Sequence, residues 1–219
     1  MIDVDFLSSI DLFADVDQDL LKPIVEQSSV TALRRGDLLF SEGDTADDLY
    51  IVLDGRVAIA NRSFDGRESV VALMESGDLF GEMPLFRPDG RSADARVLEN
   101  SSVVVIPYAP VKALYVGHPE MLWKIVDMLA ERLKIMDVAP ADSMFLDVTG
   151  RTAKRLLELA GDGEEFELPV TQEELAGMIG ASRERVNKSL ASFVKLGWLT
   201  QNGEKYVILD RKQLEIRST

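Results

Sequence analysis

Glycine punctuates the middle of this chain at regular intervals, and that spacing constrains the fold more than any other feature. Between residues 30 and 107, short β-forming runs such as 49–53, 57–60 and 103–106 are separated by glycines at positions 36, 43, 55, 66, 77, 81 and 90. A rhythm of roughly 8–12 residues without a long helical pattern is typical of antiparallel barrels and sandwiches. The sequence therefore predicts an antiparallel β jelly roll, with residues 50–57 as a hairpin that turns at Asp54-Gly55.

Helical patterns lie on both sides of this β region. Residues 3–27 predict short helices, and residues 119–139 predict a long helix with two heptad series, Leu122/Leu129/Met136 and Ile125/Arg132/Ala139. Such a seam predicts a partner helix from a second copy of the chain, with packing against its own β domain as the alternative. Pro140 removes a backbone donor and predicts a kink or break near residues 137–141.

The charge is distributed unevenly along the chain. The net charge is −14, yet residues 151–219 hold 11 of the 24 Lys and Arg and 11 of the 38 Asp and Glu. The first 150 residues therefore carry the entire excess of negative charge. From residue 181 onward, 8 basic residues stand against 4 acidic ones. An acidic body with a basic end favours a sensor joined to a DNA-binding module.

Residue types that are rare or missing exclude several kinds of site. The chain has no cysteine and a single histidine, His118, so we expect no disulfide, no iron–sulfur cluster, no haem and no metal site. No apolar run approaches the ~18 residues of a membrane span, and the N-terminus lacks the basic lead of a signal peptide. The sequence predicts a cytoplasmic protein without a membrane partner. No arrangement of residues suits acid–base or nucleophilic catalysis, so an enzyme is not expected.

A carboxylate and a guanidinium nine residues apart mark a candidate ligand site. Gly81-Glu82 precedes Arg91-Ser92 by this spacing. A cyclic nucleotide needs an acceptor for its ribose 2′-hydroxyl, which Glu82 offers, and a fork of donors for its phosphate, which Arg91 offers. Gly81 allows the backbone to approach a ligand closely, and Ser92 adds a hydroxyl. The alternative is a tight turn that carries a surface ion pair.

The C-terminal third predicts a helix-turn-helix. Residues 145–151 are expected to form a hinge, with Asp147 capping a helix over 148–159. Thr171 and Glu174 form a capping box for a short helix that Gly180 ends, and Ser182 caps a second helix. The second helix buries one face, whereas the opposite face presents residues that reach base edges in the major groove: Arg183, Glu184, Asn187 and Lys188.

The turn at Asn202-Gly203 then predicts the β-hairpin wing that often follows a helix-turn-helix. A merely solvated helix face is the alternative for the polar residues of the second helix.

These motifs, in this order, resemble the cyclic-AMP receptor protein / fumarate–nitrate regulator (Crp/Fnr) family of bacterial transcription factors. The resemblance covers nearly the whole chain and is strongest at residues 80–93, 145–151 and 170–188. It implies an α+β protein with a cyclic-nucleotide-binding jelly roll over residues 1–117. A dimerisation helix and hinge over 118–147 and a winged helix-turn-helix over 148–219 would follow. The implied partners are a second copy, palindromic double-stranded DNA and RNA polymerase, with cyclic AMP as the effector.

The motifs and the resemblance together give two sets of candidate residues. The ligand set is Gly81, Glu82, Met83, Arg91, Ser92 and Ala93, with Arg132, Met136 and Asp137 from the long helix. The DNA set consists of Arg183, Glu184, Asn187 and Lys188 for the bases, and Thr171 and Ser182 for phosphates.

Met136, Asp137 and Lys188 depart from the family pattern, and so does Pro140, which has no expected counterpart in a straight dimerisation helix. Met136-Asp137 stands where cyclic-AMP-responsive members carry Thr-Ser, so a different effector, or none, stays open. Lys188 replaces a typical arginine and gives up bidentate reading of guanine. A further alternative is a cyclic-nucleotide-binding regulatory subunit without DNA binding.

Overall fold

The chain forms two compact units, which we describe separately. A computed structural model describes residues 2–62, 68–87, 89–131, 133, 146–168, 171–203 and 205–219. The first unit comprises residues 1–62 and 71–134, and the second comprises residues 63–70 and 135–219.

Short N-terminal helices cover one side of the first unit. Helix α1 spans Val4–Ser8, a 3₁₀ turn spans Asp11–Phe13, and helix α2 spans Gln18–Gln27. Asp3 caps α1 by accepting from the Phe6 amide at 2.8 Å, which satisfies one of the free donors at a helix start. Apolar side chains of this segment join the core of the unit, so the predicted short helices are confirmed.

Among the described residues, eight strands form two four-stranded sheets, which belong to the first unit except for residues 68–70 at the start of one strand. They are β1 (Ser29–Leu33), β2 (Leu38–Phe40), β3 (Asp48–Asp54), β4 (Val57–Arg62), β5 (Glu68–Met74), β6 (Leu79–Phe80), β7 (Asp94–Val97) and β8 (Ser101–Pro107). One sheet has the order β1-β8-β3-β6 and the other β2-β7-β4-β5. The pairs β1–β8, β3–β8, β3–β6, β2–β7 and β4–β7 are antiparallel. The predicted jelly roll is confirmed.

The predicted hairpin at Asp54-Gly55 is wrong. Strands β3 and β4 belong to different sheets, so the turn leads from one sheet to the other. Gly55 has a φ of +86°, and a Cβ there would lie 2.2 Å from the Ser101 hydroxyl, which itself accepts from the Arg56 amide at 3.1 Å. A local Asp-Gly signal gives a turn, but it does not say which strands pair across it.

Three helices follow or interrupt the strands. Helix α3 spans Met83–Phe86, helix α4 spans Tyr108–Gly117, and residues 122–131 form helix α5 after a 3₁₀ turn at Pro119–Met121. No helix among the described residues is both long and apolar enough to cross a membrane.

Helix α5 corrects the predicted heptad. Ile125 is only 4% exposed and packs into the core of its own unit, so this residue does not form part of a seam. Four of the exposed apolar side chains of α5 and the following residues, Leu122, Val126, Leu129 and Leu133, follow helical spacing, and Trp123 is exposed beside them. Met136, Ala139 and Pro140 lie outside the described residues.

The described part of the second unit contains four helices and a small sheet. Helix α6 (Val148–Ala160) precedes β9 (Glu165–Glu167), α7 (Gln172–Ile179), α8 (Arg183–Lys195), β10 (Leu199–Asn202), β11 (Lys205–Ile208) and α9 (Arg211–Arg217). The sheet order is β10-β11-β9, and Asn202 pairs with Lys205 across the predicted turn. Val186, Leu190 and Phe193 are buried, as their spacing predicts. The winged helix-turn-helix is confirmed.

Candidate ligand site and DNA-binding surface

Gly81 forms the tightest point of the candidate ligand site. Its φ of +77° lies in the left-handed region that disfavours other residues. A Cβ at this position would stand 2.8 Å from Arg91 Nη1 and 3.2 Å from the Tyr50 ring. Because both the backbone conformation and the space exclude a side chain, only glycine fits between strand β6 and helix α3.

Glu82 and Arg91 are both buried beside this glycine. Glu82, the residue before helix α3, is 2% exposed, and Arg91 is 4% exposed. The guanidinium of Arg91 donates from Nη1 to the Gly81 carbonyl at 3.0 Å and from Nη2 to the Asp48 carbonyl at 2.9 Å. Because both side chains are buried, the predicted alternative of a surface ion pair is wrong. Buried charges are costly unless they have partners, which Arg91 has in these carbonyls.

Aromatic rings flank the guanidinium. The Arg91 carbon Cζ lies 4.2 Å from the Phe40 ring centre and 5.3 Å from that of Tyr50. Tyr50 in turn stacks on Phe80, with ring centres 5.3 Å apart. Such faces attract a cation and fix the plane of a guanidinium. Burial raises the pKa of Tyr50, so its hydroxyl stays protonated.

Tyr108, the first residue of α4, completes the surroundings of Arg91. Its hydroxyl donates to the Gly81 carbonyl and accepts from Arg91 Nη1 at 3.2 Å. Burial raises the pKa of Tyr108 to about 12, the positive charge of Arg91 acts to lower it, and the charge of Glu82 acts to raise it. Neither Tyr108 nor the Asp48 carbonyl was predicted from the sequence, because neither shares a local motif with Arg91.

The remaining members of the ligand set differ in exposure. Ser92 is exposed and its hydroxyl lies 3.4 Å from the sulfur of Met83, which is also exposed. Ala93 is buried immediately before strand β7. The backbone of Arg91 bonds to a neighbouring loop, because its amide donates to the Asp44 carbonyl at 2.9 Å. Arg132, Met136 and Asp137 lie outside the described residues.

The helix-turn-helix begins with the predicted capping box. Thr171 Oγ1 accepts from the Glu174 amide at 3.2 Å, and Glu174 Oε2 accepts from the Thr171 amide at 2.6 Å. Gly180 ends α7 with a φ of +66°, as predicted. Ser182 occupies the N-cap position of α8, as predicted, but its side chain makes no capping hydrogen bond. The residue is exposed to solvent.

Three of the four residues predicted to read bases project from α8 into solvent. Arg183, Glu184 and Lys188 are exposed. Asn187 is half-buried, and its Oδ1 is buried without a hydrogen-bond partner among the described residues. Asn187 lines an open groove of about 570 Å³ between α8, the start of α7 and strand β10, whose polar lining also includes Gln172, Lys195 and Gln201.

The segment before α6 is bonded to the rest of the second unit. Asp147 caps α6 by accepting from the Gly150 amide at 2.8 Å, and its carboxylate pairs with Arg217 of α9. The Gly150 and Arg217 contacts hold the pKa of Asp147 below its usual range. Thr149 Oγ1 lies 3.1 Å from Ser189 Oγ on α8.

Arg151 ties the same segment to the turn of the helix-turn-helix. Its Nη1 donates to the Leu146 carbonyl at 2.8 Å and its Nε donates to the Ile179 carbonyl at 2.9 Å. The latter is one of the free carbonyls at the end of α7. Residues 147–150 form the cap and first turn of α6 and are held by these contacts, and the hinge expected over residues 145–151 stays a prediction. Phe145 lies outside the described residues.

Comparison with known proteins adds independent evidence. The model of the cyclic nucleotide-binding domain matches residues 30–118, and that of the Crp-like helix-turn-helix domain matches residues 150–217. The CRP-like cAMP-activated global transcriptional regulator of Mycobacterium tuberculosis is 35% identical over 221 residues, or 98% of this chain and 99% of the relative. The cAMP-activated global transcriptional regulator Vfr of Pseudomonas aeruginosa is 33% identical over 176 residues, or 76% and 82%.

A solved structure extends the comparison to the fold. The c-di-GMP responsive global regulator CLP of Xanthomonas campestris aligns with a TM-score of 0.75 and 28% identity, over 88% of this chain and 99% of that one. The relatives are named as transcriptional regulators rather than enzymes. The similarity over 98% of the chain, with both domain matches, shows that the chain belongs to the Crp/Fnr family of DNA-binding transcriptional regulators.

Proposed function

We propose that this regulator is a homodimer whose DNA binding is switched by a cyclic nucleotide, cyclic AMP in the first place. The observation that carries the proposal is the joint burial of Glu82 and Arg91 beside the Gly81 turn. A buried carboxylate and a buried guanidinium suit a ligand that has both a ribose hydroxyl and a phosphate. The names of the Mycobacterium and Pseudomonas relatives, both cAMP-activated, support the same effector.

Each residue of the ligand set has a proposed task. Glu82 accepts from the ribose 2′-hydroxyl, and Arg91 donates to the cyclic phosphate. Ser92, which is exposed next to Arg91, adds a hydroxyl donor to the phosphate, while Gly81, Met83 and Ala93 shape the backbone around it. We assign Met136 and Asp137 to the base and Arg132 to the edge of the pocket, with Glu82 as its candidate acceptor.

A second effector has specific support. Met136-Asp137 replaces the Thr-Ser pair of cyclic-AMP-responsive members, and the structurally similar Xanthomonas regulator is described as c-di-GMP responsive. Cyclic di-GMP also offers ribose 2′-hydroxyls and phosphates to Glu82 and Arg91, but each of its phosphates bridges two riboses, so both the phosphate geometry and the base contacts would differ. Cyclic di-GMP is therefore the second candidate.

On DNA, the exposed residues of α8 would enter the major groove. We assign a guanine to Arg183, the amino group of a nearby cytosine to Glu184, and a less discriminating contact to Lys188. Asn187 would contact the DNA from its position in the groove between α7, α8 and β10. Thr171 and Ser182, at the starts of α7 and α8, would position the protein on phosphates.

An exposed apolar stripe on α5 and the residues after it supports the proposed dimer. Leu122, Val126, Leu129 and Leu133 leave an apolar seam exposed, and a second copy would bury it symmetrically. A two-fold dimer then binds a palindrome whose half-sites lie about 34 Å apart, one turn of the double helix. Regulation at promoters implies RNA polymerase as a further partner and the cytoplasm as the location.

A substitution in the stripe tests the dimer. Leu129 is 41% exposed, and Leu129→Glu would bury an unpaired charge against its own copy. We expect monomers in sedimentation velocity at micromolar concentration. Val116→Glu is the control, since Val116 is 84% exposed on α4 and lies outside the stripe. A Leu129→Glu variant that still sediments as a dimer would place the seam elsewhere.

Calorimetric titration tests the effector. The protein is titrated with cyclic AMP, cyclic GMP and cyclic di-GMP, and binding to a palindromic DNA is then measured with and without the tightest ligand. We expect one nucleotide to bind and to raise the affinity for DNA. Binding of none at millimolar concentration, with unchanged DNA affinity, would overturn the proposed switch.

A further inference from the structure

The hydroxyl of Tyr108 stands inside the candidate anion site, although no motif points to it. Tyr108 is 4% exposed, and its ring belongs to the core that joins α4 to the sheet. The hydroxyl, the Gly81 carbonyl and Arg91 Nη1 form a closed triangle, because Nη1 donates to both oxygens and the hydroxyl donates to the carbonyl.

The hydrogen bonds of Arg91 are unevenly distributed around its guanidinium. A guanidinium has five N–H donors in one rigid plane. Nη1 has two acceptors, the Gly81 carbonyl and the Tyr108 hydroxyl, and Nη2 has the Asp48 carbonyl. Nε is buried and has no acceptor among the described residues. One end of the fork is thus anchored in the protein, whereas the Nε side lacks a partner.

The aromatic rings around Arg91 do not provide this anchoring. The faces of Phe40 and Tyr50 fix the plane of the guanidinium, but a ring face attracts the charge whichever way the group is rotated in that plane. Rotation within the plane is set by the directional acceptors. Among the acceptors that the described residues provide, the Tyr108 hydroxyl is the only side-chain group, and the others are main-chain carbonyls.

We propose that Tyr108 is a positioning residue of the anion site: its hydroxyl fixes the rotation of Arg91 so that Nε and the remaining Nη2 donor face the cyclic phosphate. The inference rests on the proposed function, because it adds a residue to the same ligand site. An anion that accepts from Nε would also relieve a buried, unpaired donor.

The chain offers a matched control for this hydroxyl. Tyr115 lies on the same helix α4, is equally buried, and its hydroxyl has no hydrogen-bond partner among the described residues. Tyr108→Phe and Tyr115→Phe therefore remove the same atom from similar surroundings. Only the first removes a contact with Arg91.

The first measurement is the affinity of both variants for the tightest cyclic nucleotide by calorimetry. Loss of one hydrogen bond predicts about a two- to tenfold weaker affinity for Tyr108→Phe, and a change below about twofold for Tyr115→Phe. If Tyr108→Phe binds as tightly as the wild type, the inference fails while the proposed function stands. A wild-type protein that binds no cyclic nucleotide overturns both.

The second measurement separates positioning from general loosening of the site. The two phosphorothioate diastereomers of the nucleotide differ only in which exocyclic oxygen is sulfur, so a fixed guanidinium distinguishes them. We expect the wild type to prefer one diastereomer and Tyr108→Phe to narrow the ratio of the two affinities. An equal loss for both, or no preference in the wild type, would overturn the positioning role.

Discussion

The two functional surfaces of this regulator treat charge in opposite ways. In the sensor unit, Glu82 and Arg91 are almost completely buried, and the guanidinium is surrounded by carbonyls and rings. In the DNA-binding unit, Arg183, Glu184 and Lys188 stand exposed on one helix. A buried charge depends on partners that the whole fold brings together, whereas an exposed one needs only a helix to display it.

The difference extends to the energetics of each surface. Contacts in the buried site are weakly screened and depend on one another, because its members share the Gly81 carbonyl. Contacts from exposed side chains to DNA are screened by salt and act more independently. Substitutions in the buried site should therefore affect one another and depend little on salt, whereas the effects of substitutions on α8 should be more additive and depend on salt.

Arg91→Leu tests the buried side of this contrast. Removal of a charged donor from a buried site costs about 1.5–3 kcal/mol or more, which is at least a tenfold loss of cyclic-nucleotide affinity in calorimetry. Arg87→Leu is the control, since Arg87 lies just after α3 with an 84% exposed side chain. Equal affinities of the two variants would mean that the buried guanidinium is structural only.

Arg183→Ala tests the exposed side. We expect a loss of about 1–3 kcal/mol on the palindrome and a relaxed preference at one base pair, measured by competition among operator variants. Lys212→Ala, an exposed basic residue on α9, controls for the lost positive charge. A uniform loss on all sequences would instead make Arg183 a phosphate contact and shift the reading register along α8.

Asp147→Asn probes an exposed charge that has the Gly150 amide and Arg217 as partners. Its effect on the free energy of unfolding is expected to be the smallest of the effects predicted here. The pKa of Asp147 is lowered in the folded protein, so its stabilisation is present above the usual value of 3.8 and is lost as pH falls through the lower folded value. At pH 7 we expect the free energy of unfolding to fall by no more than about 1 kcal/mol, because the group is exposed, and the melting temperature to fall accordingly.

The pH series of the melting temperature decides the outcome. The gap between the wild type and Asp147→Asn should close as the pH falls below 3.8. Asp162→Asn, in the exposed loop after α6, corrects for the loss of one negative charge. A gap that is constant with pH would show that the ion pair with Arg217 contributes nothing.

Sequence patterns predicted the helical unit better than the sensor site. The capping box at Thr171, the glycine at 180 and the buried face of α8 are local, because they depend on residues three or four positions apart. They were read correctly without knowledge of any tertiary contact. The exception is Ser182, which has the right position but no capping bond, since position alone does not orient a hydroxyl.

The sensor site needed information that a linear pattern does not carry. Gly81, Glu82 and Arg91 were found because they share one short stretch, whereas Tyr108 and the Asp48 carbonyl reach Arg91 from 17 and 43 residues away. The pairing of strands is equally non-local. The turn at Gly55 was therefore predicted as a hairpin, whereas it connects strands of two different sheets. The contacts of Arg151 and Asp147 to distant helices are likewise invisible in the local motif.

The bonds that hold the start of α6 have a consequence for building chimaeras. A junction at Val148 would separate α6 from its Asp147 cap, from the Arg217 ion pair and from the Leu146 carbonyl that Arg151 grips. A foreign sensor should therefore be joined before Leu146, so that Leu146 and Asp147 are transferred together with the DNA-binding unit. Chimaeras that keep these two residues should respond to a new signal, whereas those joined at Val148 should bind DNA poorly in either state of the sensor.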